Sequence, residues 1–388
     1  MGFLSTFIPA GIGRLPKCAA FLAATLYSLA TAQADLVATL TQPTQNVAAG
    51  GWLVFNGALS NTSNSTQLYL NDLQLTGQNP ALLLQSNTYY SSVPGILLPG
   101  ETYTGPLFSL RLNAGASSAD YPGTVIFLGG ADIFATDALA SVNFLALSPM
   151  VNLTATAPEA SEYGSVAGHF TLTRSGSLGI DLPVGFAITG TAVNGASYLA
   201  IPTSIAIPAG SATAAVTITP ITNNIADGDR TAILTLAPSG DFNLGTNVSD
   251  TVTVHDLPAD AWRFAEFGAA SNSPEASDTA SWAQDGVPNL VKYALGLDPT
   301  IPIADAQPAP TMTDGFLTIS FAPAAQAIDV GWSVEASTDL QNWSPNNVAQ
   351  WPLTNPQPPN LLSFYYTIPP AAAGQAFLRA HFTRRTHP

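Results

Sequence analysis

Cysteine is almost absent from this 388-residue chain, and its absence excludes several kinds of chemistry. The one cysteine, Cys18, lies in an apolar stretch near the N terminus. If that stretch is removed on export, the remaining chain has no thiol. Disulfides, thiolate metal sites and cysteine catalysis are then excluded, and the protein must be stabilised by the burial of apolar side chains.

Positive charge is also scarce. The chain has 10 Lys and Arg against 25 Asp and Glu, which gives a formal net charge of -15, although charged residues are only 9% of the sequence. The acidity therefore comes mainly from the lack of basic residues. A chain with this charge is a poor partner for nucleic acid, and we expect no nucleic-acid binding.

Long apolar runs are missing too, apart from a short one near the N terminus. Residues 1–34 combine basic residues, this apolar run and the ending Ala32-Gln33-Ala34. The pattern predicts a signal peptide that is cleaved near Ala34-Asp35, with a retained N-terminal anchor as the alternative. No later stretch reaches the roughly 20 apolar residues that a spanning helix needs. We therefore expect a secreted or cell-surface protein with no membrane span in the mature chain.

The rest of the sequence consists largely of short alternating segments separated by turn residues. Between residues 35 and 150, segments such as GWLVFNGAL, QLYLNDLQL and TVIFLGG are typical of the strands of a β-sandwich. In order and spacing they resemble an immunoglobulin-like domain of exported bacterial proteins. The resemblance implies a fold and no chemistry.

Residues 151–257 carry more specific motifs. They include SEYGSVAGHFTLTRSGS, a run from GTA to IPAGS, and the turn ADGDRT before AILTL. With these motifs the segment resembles a complete Calx-beta domain, and its strands alternate with period two. The resemblance implies calcium held by loop carboxylates, and Glu162, Asp227 and Asp256 match acidic positions of the family.

Other acidic positions of the Calx-beta pattern are replaced here. The replacements are Ser197, Asn223, Asn224, Arg230 and Leu257. Calcium takes six to eight oxygen ligands, and its affinity follows the number of charged ligands. The remaining carboxylates are expected to hold calcium weakly at most, in the millimolar range. The alternative is that hydrogen bonds close these loops, together with an ion pair between Arg230 and either Asp227 or Asp229.

A second calcium-type pattern lies in SWAQDGVPNLVKYALGLDP, residues 281–299. Gly286 stands where an EF-hand type of loop has its glycine, and Asp285 stands at an acidic position. Lys292 occupies the closing position, where that loop needs a glutamate. A cation there repels calcium and can itself pair with Asp285, so calcium at Asp285 is not favoured.

The same stretch predicts the only helix that the pattern of the mature chain favours. Pro288 suits its first turn and Gly296 offers a stop, which places a short helical joint near 288–296. Together with residues 308–388, the segment resembles a C-terminal module common in exported proteins of Verrucomicrobia-like bacteria, for which no activity is implied.

Catalytic signatures are absent from the sequence. It has no GxSxG, HExxH, P-loop or dinucleotide-binding motif in the required context. His255 and Asp256 are neighbours, but adjacent strand residues point to opposite faces, so we expect His255 to be an isolated surface or edge residue. Trp262, Trp282, Trp332, Trp343 and Trp351 cluster in the last third, where packing is a more frequent use of tryptophan than a glycan platform.

These features predict an all-β fold made of serial β-sandwich domains, immunoglobulin-like and Calx-beta, with one short helical joint near 288–296. The predicted parts are a signal peptide (1–34), an immunoglobulin-like sandwich (35–150), a Calx-beta-like sandwich (151–257), a linker with a degenerate calcium-type loop (258–307) and a β-rich domain (308–388). The expected function is structural or adhesive and not enzymatic, with a protein or glycan as partner. The alternative is a calcium-dependent or carbohydrate-binding extracellular module.

Overall fold

The computed structural model describes residues 35–77, 79–223, 225–268, 274–303, 308–351, 360–368 and 374–385. The predicted signal peptide, 1–34, and Asn224 lie outside these ranges. Hydrophobic cores follow one another along the described part of the chain, the first among residues 36–146, the second among 151–254 and the third among 259–382. Regular structure is mainly β-strand, so the prediction of an all-β, multi-domain fold is confirmed.

The first unit is a β-sandwich. Its strands are β1 (Leu36–Leu40), β2 (Thr44–Asn46), β3 (Trp52–Asn61), β4 (Leu68–Thr76), β5 (Leu82–Gln85), β6 (Ile96–Leu97), β7 (Thr102–Leu112), β8 (Asp120–Gly130) and β9 (Asp137–Leu147), and helix α1 (Asn87–Ser92) lies between β5 and β6. A sheet with the order β1-β3-β7-β5 faces a sheet with the order β2-β9-β8-β4-β6. Phe55 and Phe108 of one sheet contact Phe144 of the other, with ring centroids 5.2 and 6.2 Å apart. The core therefore lies between the sheets.

The second unit is also a β-sandwich. Its strands are β10 (Met150–Ala157), β11 (Glu159–Ser161), β12 (Gly168–Ser175), β13 (Leu182–Thr189), β14 (Ser204–Ile207), β15 (Thr213–Ile218), β16 (Arg230–Leu236), β17 (Asn243–Leu244) and β18 (Ser249–His255), with a short 3-10 helix at Tyr163–Ser165. The sheets have the orders β15-β12-β10-β17 and β11-β18-β16-β13-β14. The chain thus passes from one sheet to the other between β10 and β11, immediately before the first candidate loop.

The third unit combines helices and short strands. Its elements are α2 (Pro258–Phe267), α3 (Asn289–Leu295), β19 (Thr311–Thr313), β20 (Phe316–Phe321), β21 (Val330–Ser337), β22 (Val348–Gln350), β23 (Leu362–Tyr366) and β24 (Phe377–Arg384). Strands β19-β20-β23-β22 form one sheet, and β21 pairs with β24. Ala259 of α2 and Tyr293 of α3 belong to the same core as Ile319 and Phe321. The segment predicted to be a linker, as far as residue 303, therefore packs on the strands that follow it.

Helix α2 corrects the prediction of a single helical joint. It begins at Pro258, has Asp260 in its first turn, and ends at Gly268 in the left-handed conformation, which are ordinary start and stop signals. Its buried residues, however, are Ala259, Asp260 and Arg263, so the buried face carries an ion pair beside its apolar side chains. The apolar spacing that reveals α3 is therefore interrupted in α2. The six-residue helix α1 was not predicted either.

Hydrogen bonds join the successive units. Between the first and second units, the backbone N–H of Ala49 donates to Asn243 Oδ1 at 2.8 Å, and Asn46 Nδ2 donates to the carbonyl of Asp181 at 3.1 Å. Between the second and third units, the hydroxyl of Tyr163 donates to the carbonyl of Ile328 at 2.9 Å. The units are therefore bonded at their junctions as well as linked by the chain.

Candidate functional site

Strand pairing in the second unit brings the predicted calcium ligands to one end of the sandwich. Strands β11 and β18 are parallel and end at the same edge, and β16, which is antiparallel to β18, begins there. Glu162 follows β11, Asp256 follows β18, and Asp227 lies in the turn before β16. The three carboxylates are close enough for Asp256 and Asp227 to raise the pKa of Glu162 beyond the effect of its burial.

Glu162 is buried, and both of its carboxylate oxygens accept hydrogen bonds from Asn223. The side-chain amide of Asn223 donates to Oε1 at 2.9 Å, and its backbone N–H donates to Oε2 at 3.1 Å. Asn223 is one of the residues that replace an acidic residue of the Calx-beta pattern. An amide donor at this position stabilises the neighbouring carboxylate, where another acid would repel it.

Asp256 is also buried, and it accepts hydrogen bonds from the backbone around it. Its Oδ2 accepts from the N–H groups of Asp227 and Gly228 at 3.2 and 3.1 Å, and its Oδ1 accepts from Leu257 N–H at 2.7 Å. Phe264 of α2 packs over Gly228, whose φ of +72° suits glycine and where a Cβ would lie 2.9 Å from the ring. Asp256 therefore holds a turn on which the next unit packs.

The sequence left open whether Arg230 pairs with Asp227 or with Asp229, and in the structure it pairs with Asp227. Arg230 Nη2 lies 2.7 Å from Asp227 Oδ2. Asp229 has a different partner, because its Oδ2 is 2.7 Å from Nδ1 of His255. The guanidinium of Arg230 thus neutralises the charge of Asp227, at the end of the sandwich where the resemblance to a Calx-beta domain implies calcium.

Burial gives Glu162 and Asp256 unusual pKa values. Desolvation raises the pKa of Glu162 to about 7, although the hydrogen bond from the Asn223 backbone opposes the shift. Desolvation and the nearby charge of Asp260 raise the pKa of Asp256 to about 7, against the effect of its backbone donors. Both carboxyls therefore titrate near neutral pH, far above the value of about 4 for an exposed carboxyl.

This arrangement does not fit a calcium cage. Calcium needs six to eight oxygens directed at one point, with several of them charged. Both oxygens of Glu162 and of Asp256 face hydrogen-bond donors, and Asp227 faces a guanidinium. Within the described ranges, no three His, Cys, Asp or Glu side chains are arranged to hold a metal ion.

A charged cluster around His255 lies at the same end of the sandwich, and the sequence did not predict it. Nε2 of His255 is 2.5 Å from Glu159 Oε2, and Nδ1 is 2.7 Å from Asp229 Oδ2. Burial lowers the pKa of His255, but its hydrogen bonds to Glu159 and Asp229 outweigh that effect, and the net pKa is raised. The expectation of an isolated His255 was therefore wrong, because its two contacts depend on the registers of β11 and β16 against β18.

The second calcium-type loop contains a complete ion pair. Lys292 is fully buried, and its Nζ lies 2.8 Å from Asp285 Oδ2. The same ammonium donates to the carbonyls of Pro299 at 3.2 Å and Ile301 at 3.1 Å. The hydrogen bond from Lys292 holds the pKa of Asp285 well below its usual range. The pairing predicted between the closing lysine and Asp285 is present in the structure.

The tryptophans of the last third differ in their surroundings. Trp262 packs against Tyr293, and Trp351 packs against Tyr365, with ring centroids 5.2 and 4.9 Å apart. Trp282 is 42% exposed and lies beside a cavity of about 400 Å³. Among these rings, Trp282 combines exposure with an adjacent cavity.

No family model matches the chain, and no curated protein matches it. Similar solved structures include the apo form of the Calx CBD1 domain, at 18% identity and a TM-score of 0.25, covering 28% of this chain and 98% of that one. The I9–I11 tandem of titin is 7% identical with a TM-score of 0.27, covering 90% and 95%. The adhesin InvE of Yersinia pseudotuberculosis is 11% identical with a TM-score of 0.23, covering 74% and 67%. At these values the likenesses assign neither a function nor a site.

The raised carboxyl pKa values predict that the second unit loses stability as the pH rises. A group whose pKa is higher in the folded state than in the unfolded state contributes fully below the unfolded pKa, and the contribution is lost as the pH rises through the folded pKa. For Glu162 and Asp256 the loss extends from about pH 4 to above pH 7, and His255 acts in the same direction. This loss of stability is measured as the change in hydrogen-exchange protection of the amides in residues 151–257, with a chelator present.

Two variants control this measurement. Glu162→Gln should reduce the loss of protection between about pH 5 and pH 8, because it removes one of the titrating groups. Glu266→Gln, on the exposed side of α2, should leave the pH dependence of the second unit unchanged. Constant or increasing protection of the wild-type second unit over this interval would contradict the prediction.

Proposed function

We propose that this is a non-enzymatic, exported protein with a structural or adhesive role, in which serial β-sandwich units hold a binding surface away from the cell. The observation that supports this most directly is the series of hydrophobic cores along the described part of the chain, with hydrogen bonds at the junctions. Units that follow one another along the chain separate its two ends, so that the series can act as a spacer. A protein or a glycan is the proposed partner.

The contacts of His255 support a structural role for that residue. A histidine that acts as a general base needs an unprotonated ring nitrogen directed at the substrate. In His255 both ring nitrogens face carboxylates, at 2.5 and 2.7 Å. The doubly protonated ring is the form that satisfies both contacts, and it holds β11 and the turn before β16 against β18.

Export and adhesion are tested on the cells that produce the protein. Protease added to intact cells should digest it while a cytoplasmic marker enzyme survives, and the mature protein should begin near Asp35. Disruption of its gene should reduce attachment of the cells to protein-coated or glycan-coated surfaces, and the wild-type gene should restore it. Recovery of the protein only from inside the cells would contradict export, and unchanged attachment would contradict adhesion.

None of the helices in the described ranges has the length and apolar character needed to cross a membrane. For export the proposal rests on the sequence of residues 1–34, and for a role outside the cell it rests on the serial sandwiches.

We expect calcium to bind the second unit weakly at most, through Glu162, Asp227 and Asp256. Binding would require these carboxylates to exchange their present donors for the ion. Adding calcium at a concentration equal to its dissociation constant raises the free energy of unfolding by about 0.4 kcal/mol. For a millimolar site, 1 mM calcium should therefore shift the melting temperature of this unit by about 3 °C or less.

The control for this measurement is magnesium at the same ionic strength, because it separates specific binding from charge screening. Glu162→Gln in combination with Asp256→Asn should abolish any calcium-specific shift. Clear stabilisation of the wild type at micromolar calcium, absent from the double variant, would contradict weak binding and assign a calcium-dependent function.

Carbohydrate binding is a second candidate, favoured by the cavity beside Trp282. The ring of Trp282 packs on Phe267 with centroids 4.8 Å apart, and Glu275 and Gln284 also line the cavity. An exposed indole face suits the apolar face of a sugar, and carboxylate and amide groups suit its hydroxyls.

A glycan array tests this candidate. Wild-type protein should bind a defined set of glycans, and Trp282→Ala should lose at least tenfold in affinity because the stacking face is removed. Trp343→Ala is the matched control, since the guanidinium of Arg379 already covers that ring at 4.3 Å. An array on which the wild type binds nothing would exclude carbohydrate binding, and equal losses in both variants would exclude the Trp282 cavity.

A further inference from the structure

Lys292 has no counterpart in the chain beyond residue 34. The sequence contains two lysines, Lys17 and Lys292, and the first lies in the predicted signal peptide. A lysine side chain is almost never fully buried unless it is paired, because its ammonium is strongly hydrated. In this structure Lys292 is nevertheless among the largest fully buried side chains.

The surroundings of the ammonium match its hydrogen-bonding capacity. A lysine ammonium has three N–H donors and no acceptor. The Nζ of Lys292 has three oxygens around it, Asp285 Oδ2 at 2.8 Å and the carbonyls of Pro299 and Ile301 at 3.2 and 3.1 Å. One carboxylate and two backbone carbonyls are hard oxygen ligands of the kind that proteins direct at a cation.

Asp285 is positioned by the loop that surrounds it. Its Oδ1 accepts from Ser281 Oγ at 2.7 Å and from Val287 N–H at 3.0 Å. Its Oδ2 accepts from Ile303 N–H at 3.0 Å in addition to Lys292. The carboxylate thus ties the start of the loop at Ser281 to its end at Ile303, and the ammonium completes its set of partners.

We infer that residues 281–303 form a cation site whose cation is the ammonium of Lys292. The chain supplies covalently, from helix α3, the positive charge that faces the oxygens of Asp285, Pro299 and Ile301. The loop and α3 therefore keep their structure without a metal ion. Because α3 belongs to the core of the third unit through Tyr293 and Ala294, folding of that unit depends on this internal cation.

The burial of the ammonium is tested first on the wild-type protein. Lys292 is the only lysine after residue 34, so an amine-directed acylating reagent has a single side-chain target in the mature chain. At a fixed pH of about 9, Lys292 should react about a hundredfold more slowly in native buffer than in urea, and the N-terminal amine, which is exposed in both, serves as the internal reference. Rapid acylation in native buffer would overturn the inference.

The role of the charge is tested with Lys292→Met, which keeps an unbranched apolar stem and removes the ammonium. Unfolding is followed by tryptophan fluorescence, since five of the six tryptophans lie beyond residue 258. The variant leaves a buried carboxylate without its cation, so its melting temperature should fall by about 10 °C or more. Asp285→Asn added to Lys292→Met should recover part of that fall, because the unpaired charge is removed as well. The inference would be overturned if Lys292→Met had the same melting temperature as the wild type. It would also be overturned if the double variant had a melting temperature no higher than that of Lys292→Met.

Chemical rescue distinguishes a cation site from a general packing defect. In Lys292→Ala, n-propylammonium has the carbons and the ammonium that the truncation removes, and it should raise the melting temperature of the variant by several degrees more than it does in the wild type. 1-Propanol at the same concentration should not. Arg379→Met, which removes the cation of the more exposed pair with Glu335 in the same unit, should not respond to n-propylammonium. Equal effects of the amine and the alcohol on Lys292→Ala would overturn the inference.

Discussion

A carboxylate that leaves water must be matched by a cation or by hydrogen-bond donors, and much of this structure after residue 150 depends on that requirement. An isolated buried charge costs several kcal/mol, comparable to the total stability of a small domain. Asp285 meets the requirement with Lys292, whereas the three backbone N–H groups around Asp256 meet it in part, so that burial still raises the pKa of Asp256 to about 7. Donors to Asp256 include the turn before β16, and the cation beside Asp285 comes from helix α3, so each carboxylate ties neighbouring segments together.

Most basic residues beyond residue 34 make structural contacts, either with buried carboxylates or with backbone carbonyls. Subtracting Arg14 and Lys17 from the 10 Lys and Arg leaves eight beyond residue 34. Arg263 and Arg384 both contact the buried Asp260, which ties α2 to β24. Arg174 is also buried, and its guanidinium donates to the carbonyls of Ser211, Ile180 and Pro208. Positive charge is therefore scarce, and most of the basic side chains take part in structural contacts. The remaining surface is acidic and repels other polyanions.

The fold was predictable from the sequence where a pattern is local. Alternation with period two identified the longer strands of both sandwiches, such as β3, β4, β8, β12 and β16, because one face of each is buried. Pro288 and Gly296 located α3, which begins at Asn289 and ends at Leu295. Helix α2 was missed because Asp260 and Arg263 occupy its buried face and interrupt the apolar spacing, although the capping signals are present.

The sequence by itself determined the all-β class, the position of α3 and the opposition of Lys292 to Asp285, since each of these follows from spacing within one segment. Only the tertiary structure decided which charges meet across segments. Asp227, and not Asp229, pairs with Arg230, because the registers of β11 and β16 against β18 set His255 between Glu159 and Asp229. Strand register and burial fix such contacts through space, and neither is encoded in the spacing of the residues along the chain.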